Sequence, residues 1–223
     1  PLSAIDEVGF GVAATDCDES VTVYPNGYAG KIFDCHAVLQ TDETLFDNLT
    51  KLLMGCRGFL PYSQGQYSLI IDNAKASVFT FNTDNMLGGL SIKGETKENK
   101  FNRVICKFPN SAILYEPDQA TWPEAGSAEE IAFLAEDNGT LLVQEIELET
   151  VTSFYAARDL ARVILKRSRN ALRCSFKATS EALNLAVADI VTVNHPTPAW
   201  EGQLKLFQVE SISLNYDGTV SVG

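Results

Sequence analysis

Histidine is scarce in this chain, which has only His36 and His195 among its 223 residues. A general base, a metal site or an activated nucleophile usually needs a histidine beside a partner. His36 adjoins Cys35, but neighbours on a strand point to opposite faces, so the pair is not expected to act as a catalytic dyad. His195 lies in an Asn-His-Pro-Thr-Pro run, whose prolines favour a surface turn. The sequence therefore offers no catalytic residue.

Patterns that bind metals or cofactors are also missing. The cysteines are odd in number, far apart and without a C-x-x-C pair, which argues against a zinc site and a disulfide framework. The acidic residues lack the spacing of a calcium loop, and the glycines lack that of a phosphate-binding loop. We expect no metal, no cofactor and free thiols, with Cys35, Cys106 and Cys174 on the apolar faces of strands.

Positive charge is in short supply as well. The chain has 17 Lys and Arg against 29 Asp and Glu, a formal net charge of -12, so its field repels phosphate and opposes nucleic-acid binding. The sequence begins abruptly at Pro1, and no charged start leads into a long apolar run, so we expect a fragment without a signal peptide or membrane span. General electrostatics favours basic or neutral partners.

What the chain does contain is the balance of an ordinary globular protein, with 45% hydrophobic and 21% charged residues. Periodicity in the first part predicts a helix over residues 2–19, a strand over 31–40 and a helix over 41–57. Residues 66–71 and 76–81 are β-prone on either side of Asp72-Asn73, which predicts a hairpin. We interpret residues 1–92 as one mixed α/β module of the order helix–strand–helix–hairpin.

Residues 93–223 are mostly strand-like. An amphipathic helix is predicted over residues 152–168, whereas residues 109–139 are rich in Pro, Asp and Glu and are typical of a surface excursion. Alternating strands on either side of the helix predict a small antiparallel β-barrel or sandwich. The predicted fold class for the whole chain is α+β, mostly β.

The predicted helix carries much of the positive charge, on Arg158, Arg162, Lys166 and Arg169. A nucleic-acid-binding stripe would look similar, but the aromatic residues that usually alternate with its cations are missing. Two interpretations stay open: a solvated helix face, or a subunit interface that meets the acidic region 116–149 of a neighbouring subunit.

Several motifs also occur in a recognisable order. Residues 99–109 read NKFNRVICKFP and follow a glycine-containing stretch at 83–91, and residues 151–168 carry the pattern A-x-x-x-A-R-x-x-L-x-R-S. Residues 185–193 read LAVADIVTV and precede Trp-Glu-Gly at 200–202. Ala188 stands at a position where proteins with this pattern usually have glycine. Together with residues 33–68, these stretches resemble the tail-tip hub proteins of long-tailed bacteriophages, a family that includes the host-specificity (tip attachment) protein of lambda-like phages and related baseplate hubs.

The resemblance implies a non-enzymatic structural protein built of small β-barrels, assembled in the host cytoplasm and located at the tail tip of the virion. It implies a homotrimeric ring with partners among the distal tail, tail tube, tape measure and fibre proteins, and neither a membrane nor a sequence-specific nucleic-acid partner. A different turn is expected at Ala188.

Two other functions remain as alternatives. A receptor- or carbohydrate-binding module of a tail protein would need exposed aromatics such as Tyr62, Trp122 and Trp200 to line a groove. A tail-associated cell-wall hydrolase would need a Cys/His, Glu/Asp or zinc constellation in a pocket.

Overall fold

The computed structural model describes residues 4–23, 28–31, 33–63, 65–73, 75–94, 100–170, 172–197, 200–203 and 205–223. Over these ranges the chain is a mixed α+β protein with more strands than helices. It divides into two compact units: the first comprises Pro1–Ile71 with Thr96–Ala171, and the second comprises Asp72–Glu95 with Leu172–Gly223. The α-helices of the described ranges all lie in the first unit and are α1 (Glu7–Cys17), α2 (Leu45–Cys56), α3 (Ala128–Glu136) and α4 (Phe154–Arg169).

The amino-terminal part of the first unit is a layer of two helices and short strand pairs. Helix α1 begins after Asp6, whose carboxylate accepts a hydrogen bond from the N–H of Gly9, and α2 begins after Thr44, whose hydroxyl accepts from the N–H of Asp47. A small apolar cluster of Ala13, Phe33 and Ile71 lies in this layer. Its strands are β1 (Ser20–Val23), β2 (Tyr28–Lys31), β3 (Gly58–Phe59), β4 (Tyr62–Ser63), β5 (Gln66–Tyr67) and β6 (Ile70–Ile71).

The remainder of the first unit is a three-stranded sheet covered by α4. The central strand β9 (Arg103–Asn110) pairs antiparallel with β10 (Glu116–Trp122) and parallel with β11 (Val143–Glu147). Alternate side chains of β9 are buried, as expected for a strand with one face in a core. That core joins the sheet to the apolar face of α4, through Val104, Cys106, Phe108, Ala120, Ala157, Leu160, Ala161 and Leu165.

The second unit is sandwich-like. The strands of one sheet are, in order, β15 (Ile212–Leu214), β16 (Val220–Val222), β12 (Leu172–Ala178) and β8 (Met86–Gly94). Those of the other are β14 (Lys205–Gln208), β13 (Ile190–Val193) and β7 (Phe79–Phe81). Neither sheet closes into a barrel among the described residues. Phe81 and Val193 from the smaller sheet and Phe176 and Val222 from the larger one share a single core.

Two predictions for the first ninety residues are wrong. Residues 33–40 form no strand, while residue 32 lies outside the described residues, and β2 ends at Lys31. The predicted hairpin does not form, because β6 pairs with β3 and β7 pairs with β13. Ile71 is buried in the core of the first unit and Phe81 in that of the second, so the two halves of the predicted hairpin belong to different units.

The interpretation of residues 109–139 as a surface excursion is also wrong, because this region contains β10 and α3. Ser127 caps α3, and the buried Glu130 carboxylate accepts a hydrogen bond from the N–H of Gly126 at 2.6 Å and pairs with Arg103. An acidic stretch can thus contain regular structure, and here the Glu130 carboxylate pairs with Arg103 on β9. The helix predicted over residues 152–168 is confirmed as α4.

The boundary between the two compact units does not coincide with the predicted boundary between residues 92 and 93, because residue 92 lies inside β8. The division of the sequence into modules 1–92 and 93–223 stays a prediction. Ala188 has a φ of 75°, the left-handed conformation that glycine adopts most readily. The backbone of Ala188 therefore has the left-handed conformation that glycine would favour.

Candidate subunit interface

Helix α4 has one apolar face and one cationic face. Ser153 precedes the helix without a side-chain capping hydrogen bond, and basic residues fill the last turn, where they complement the carbonyl end of the helix dipole. The apolar face lies on the three-stranded sheet. The basic residues predicted as an interface thus emerge from the sides and the outer surface of α4, in different surroundings.

Arg169 lies in an ion-pair network within the first unit. Its guanidinium donates to Asp137 at 2.8 Å, pairs with Glu136, and lies over the ring of Phe133 at 4.6 Å from the centroid. Only 10% of the Arg169 side chain is exposed. The hydrogen bond from Arg169 lowers the pKa of the Asp137 carboxyl below its usual value despite burial, and a second one from Asn102 adds to the effect. Arg169 therefore joins α4 to α3.

Arg158 also forms contacts within the first unit, nearer the start of α4. Its guanidinium pairs with Glu124 at 2.8 Å and lies over the Trp122 ring at 5.2 Å from the centroid. These contacts fix the helix to the segment that leaves β10, and the long side chain covers part of an aromatic surface. Arg158 is consequently a packing residue of the first unit.

Arg162 and Lys166 are the more accessible members of the set. Arg162 donates to Asp159 on the preceding turn at 3.0 Å through Nε, and Asp159 also pairs with Arg57 at 3.6 Å. Lys166 is exposed and forms no ion pair with any residue that the structure describes. The structure thus separates the four predicted residues into an internal pair, Arg158 and Arg169, and an outer pair, Arg162 and Lys166.

The buried asparagine Asn102 is a structural polar residue that sequence analysis missed. Its amide nitrogen donates to Asp137 at 2.9 Å and to the Thr140 carbonyl at 2.7 Å, while its oxygen accepts from the N–H of Leu142 at 2.8 Å. It therefore holds the connection between α3 and β11 at the start of β9. The only sequence signal was its place in the Asn-Arg-Val motif.

The residues considered for chemistry do not assemble into a site. Cys35 is exposed, which corrects its predicted place on an apolar strand face, and its pKa is raised by partial burial and by the Asp34 charge, opposite to an activated thiol. The His36 ring lies 3.4 Å from Asp34, and His195 contacts the backbone of Thr197. No group of three or more His, Cys, Asp and Glu side chains within the described ranges could hold a metal ion.

The aromatics of the receptor-binding alternative are equally scattered. Trp200 is buried in the core of the second unit, where its ring lies 5.4 Å from that of Phe207. Trp122 is covered by Arg158, and Tyr62 is exposed beside Tyr67 with 4.7 Å between ring centroids. Neither tryptophan is placed to line an open groove.

The thiols should differ widely in reactivity toward a thiol reagent at pH 8. Burial raises the pKa values of Cys56, Cys106 and Cys174 to about 11, which leaves roughly one thiolate in a thousand at that pH. We expect Cys35, the exposed thiol, to react first and Cys106 last, by more than about 100-fold. Peptide mapping after timed alkylation of the folded protein measures this order, and early labelling of Cys106 would contradict it.

Comparison with known proteins decides the family. The family model described as a putative phage tail protein matches residues 47–207, which include the sheet, α4 and most of the second unit. The chain belongs to this phage tail protein family. The location of this phage tail protein is accordingly the tail of the virion. None of the helices in the described ranges is both long and apolar enough to span a bilayer.

Individual relatives agree with the family. The phage tail protein is 22% identical over 192 residues to the baseplate hub protein pb3 of Escherichia phage T5, which covers 86% of this chain and 19% of the relative. Its fold resembles a chain of the virion of a native gene transfer agent particle, with a TM-score of 0.63, 14% identity, and coverage of 99% of this chain and 43% of that one. The chain therefore spans about a fifth of the curated relative and less than half of the solved one.

Proposed function

We propose that this phage tail protein is a structural part of the hub at the tail tip, where it links the tail tube to the host-recognition apparatus through protein–protein contacts and without catalysis. The similarity over most of the chain to a baseplate hub protein carries this proposal. Its partners are then copies of itself in a homotrimeric ring and the distal tail, tube, tape measure and fibre proteins. A hub needs surfaces for such contacts, and α4 with the acidic region 116–149 supplies surfaces of opposite charge.

The ring contact runs head to tail, so one face of each subunit meets a different face of its neighbour. Arg158 and Arg169 already pair inside the first unit, which leaves Arg162 and Lys166 as the accessible cations of the predicted set. Residues 116–149 contain acidic and no basic residues. The contact is therefore between the Arg162–Lys166 surface of one copy and acidic side chains of the next.

The test is the double charge reversal Arg162→Glu with Lys166→Glu in this chain. Exposed ion pairs contribute about 0–1 kcal/mol each, so loss of both with added repulsion should weaken self-association about tenfold. Sedimentation velocity over a concentration and salt series measures the effect, and the association of the variant should also depend less on salt.

Lys93→Glu with Lys205→Glu is the matched control, since it changes the net charge equally on exposed residues of the second unit. The control variant should associate as the parent does. Equal association of the double reversal and the parent would show that the outer face of α4 is only solvated, and a parent that stays monomeric throughout would contradict a ring contact in this chain.

A further inference from the structure

A second surface feature of the first unit is an apolar tip at the turn between β9 and β10, formed by Ile113, Leu114 and Tyr115. Their exposed fractions are 47%, 89% and 58%. Leu114 is therefore almost fully exposed, and Ile113 and Tyr115 each leave about half of their surface uncovered. Neighbouring exposed apolar residues of this kind mark protein–protein contact sites.

The backbone of the apolar tip is held in an unfavourable conformation. Leu114 and Tyr115 have φ values of 60° and 63°, in the left-handed region that costs L-residues energy. Tyr115 donates its N–H to the Asn110 carbonyl at 2.8 Å, and the Asn110 side chain accepts from the N–H of Ala112 at 2.9 Å. These hydrogen bonds fix the turn, so little conformational entropy is lost when the tip binds a partner.

The turn is also tied to the start of α4. Both the N–H and the hydroxyl of Ser111 donate to the Thr152 carbonyl, at 3.0 and 3.1 Å. Phe154, partly exposed in the first turn of α4, lies 6.4 Å from Phe108 and 5.9 Å from Tyr155 between ring centroids. The turn is thus tied by Ser111 to the segment that leads into α4.

The stretch of sequence that contains the apolar tip carries charge of a single sign. Residues 108–149 include no Lys or Arg, and Glu116, directly after the tip, is exposed. A complementary surface is therefore cationic and also offers apolar contact. The outer face of α4 meets both needs, because the aliphatic stems of Arg162 and Lys166 are apolar and their ends are positive.

We propose that the apolar tip anchors the ring contact by packing against the Arg162–Lys166 surface of α4 in a second copy of this chain. Leu114 lies against the aliphatic stems, the Tyr115 ring receives a cation, and the Glu116 carboxylate pairs at the edge. This inference rests on the proposed function and deepens it. Interface energy is concentrated in a few aromatic and aliphatic anchors, whereas ion pairs at the rim mainly orient the partners.

The decisive variants are Leu114→Gly and Tyr115→Gly. Glycine removes the anchor and tolerates the left-handed backbone, so the melting temperature should not fall below that of the parent. Self-association measured by sedimentation velocity should weaken at least tenfold in each variant. Tyr216→Gly, which removes an exposed aromatic from a turn of the second unit, is the matched control and should associate as the parent does.

The outcomes separate this inference from the ring contact itself. If the glycine variants associate like the parent while Arg162→Glu with Lys166→Glu weakens association, the tip is not the anchor and the α4 contact stands. A lower melting temperature for Leu114→Gly would show that the Leu114 side chain stabilises its own subunit, and this would overturn the proposal. If the parent does not self-associate, both ideas fail, and a tip that binds another tail protein becomes the explanation of its exposure.

Discussion

Phe81→Ala should lower the free energy of unfolding of the second unit by about 3–5 kcal/mol, the range found when a large buried aromatic leaves a cavity. Phe81 is fully buried, and its ring makes edge-to-face contacts with those of Phe79 and Phe176, each at 4.8 Å between centroids. It joins strands of both sheets, so neighbouring side chains cannot fill the space without moving a sheet. Urea denaturation measures the loss.

The two tryptophans give each unit its own fluorescence signal, because Trp122 lies in the first unit and Trp200 in the core of the second. A Trp122→Phe background therefore reports the second unit alone. Thr80→Ala, at the exposed neighbour of Phe81, should change the free energy of unfolding by less than about 1 kcal/mol. A loss of similar size for Phe81→Ala would mean that the core between the sheets tolerates a cavity.

Arg169→Ala should destabilise the first unit by about 2–3 kcal/mol, because the largely buried Asp137 carboxylate loses its paired cation and keeps only the hydrogen bond from Asn102. It also removes the contact with the Phe133 ring. Lys166→Ala, three residues away on the exposed face, is the control and should have almost no effect. Urea denaturation followed through Trp122 compares the two, and equal stabilities would show that Arg169 is free to serve an interface.

The effect of Arg169→Ala should depend on pH in a defined direction. The folded-state pKa of Asp137 lies below the unfolded value of 3.8, so the pair stabilises the protein fully above that value. Its contribution is lost as the pH falls through the lowered folded-state pKa. The stability difference between parent and variant should therefore be constant near neutral pH and shrink under acid conditions, and a difference that instead grows at low pH would contradict the assignment.

Local patterns of the sequence were sufficient for α4 and for the central strand β9 of the sheet that it covers. The apolar period of α4 is uninterrupted, and the alternation in β9 matches its buried face. Both elements are amphipathic with one buried face, which is the case that periodicity detects best. The cationic face of α4 could be predicted from the same helical period.

Long-range pairing could not be obtained in this way. The Arg169–Asp137 contact joins residues 32 apart, and nothing in the local sequence of Asp137 distinguishes it from a solvated carboxylate. The hairpin predicted over residues 66–81 was wrong because two β-prone segments beside a turn signal usually pair with each other. Here β6 pairs with β3 in the first unit, and β7 pairs with β13 in the second. The apolar tip was missed because a sequence does not show whether consecutive apolar residues such as Ile113, Leu114 and Tyr115 are buried or exposed.

The interleaving of the two units has a consequence for synthesis on the ribosome. Strand β8 emerges early, but its neighbour β12 follows only after Thr96–Ala171, a stretch that belongs to the first unit. The first unit has all its residues once Ala171 has emerged, whereas the second still awaits its strands from β12 to β16. Folding should therefore proceed from the first unit to the second, with β8 exposed as an unpaired edge in between, the stage at which a growing chain is most prone to aggregate.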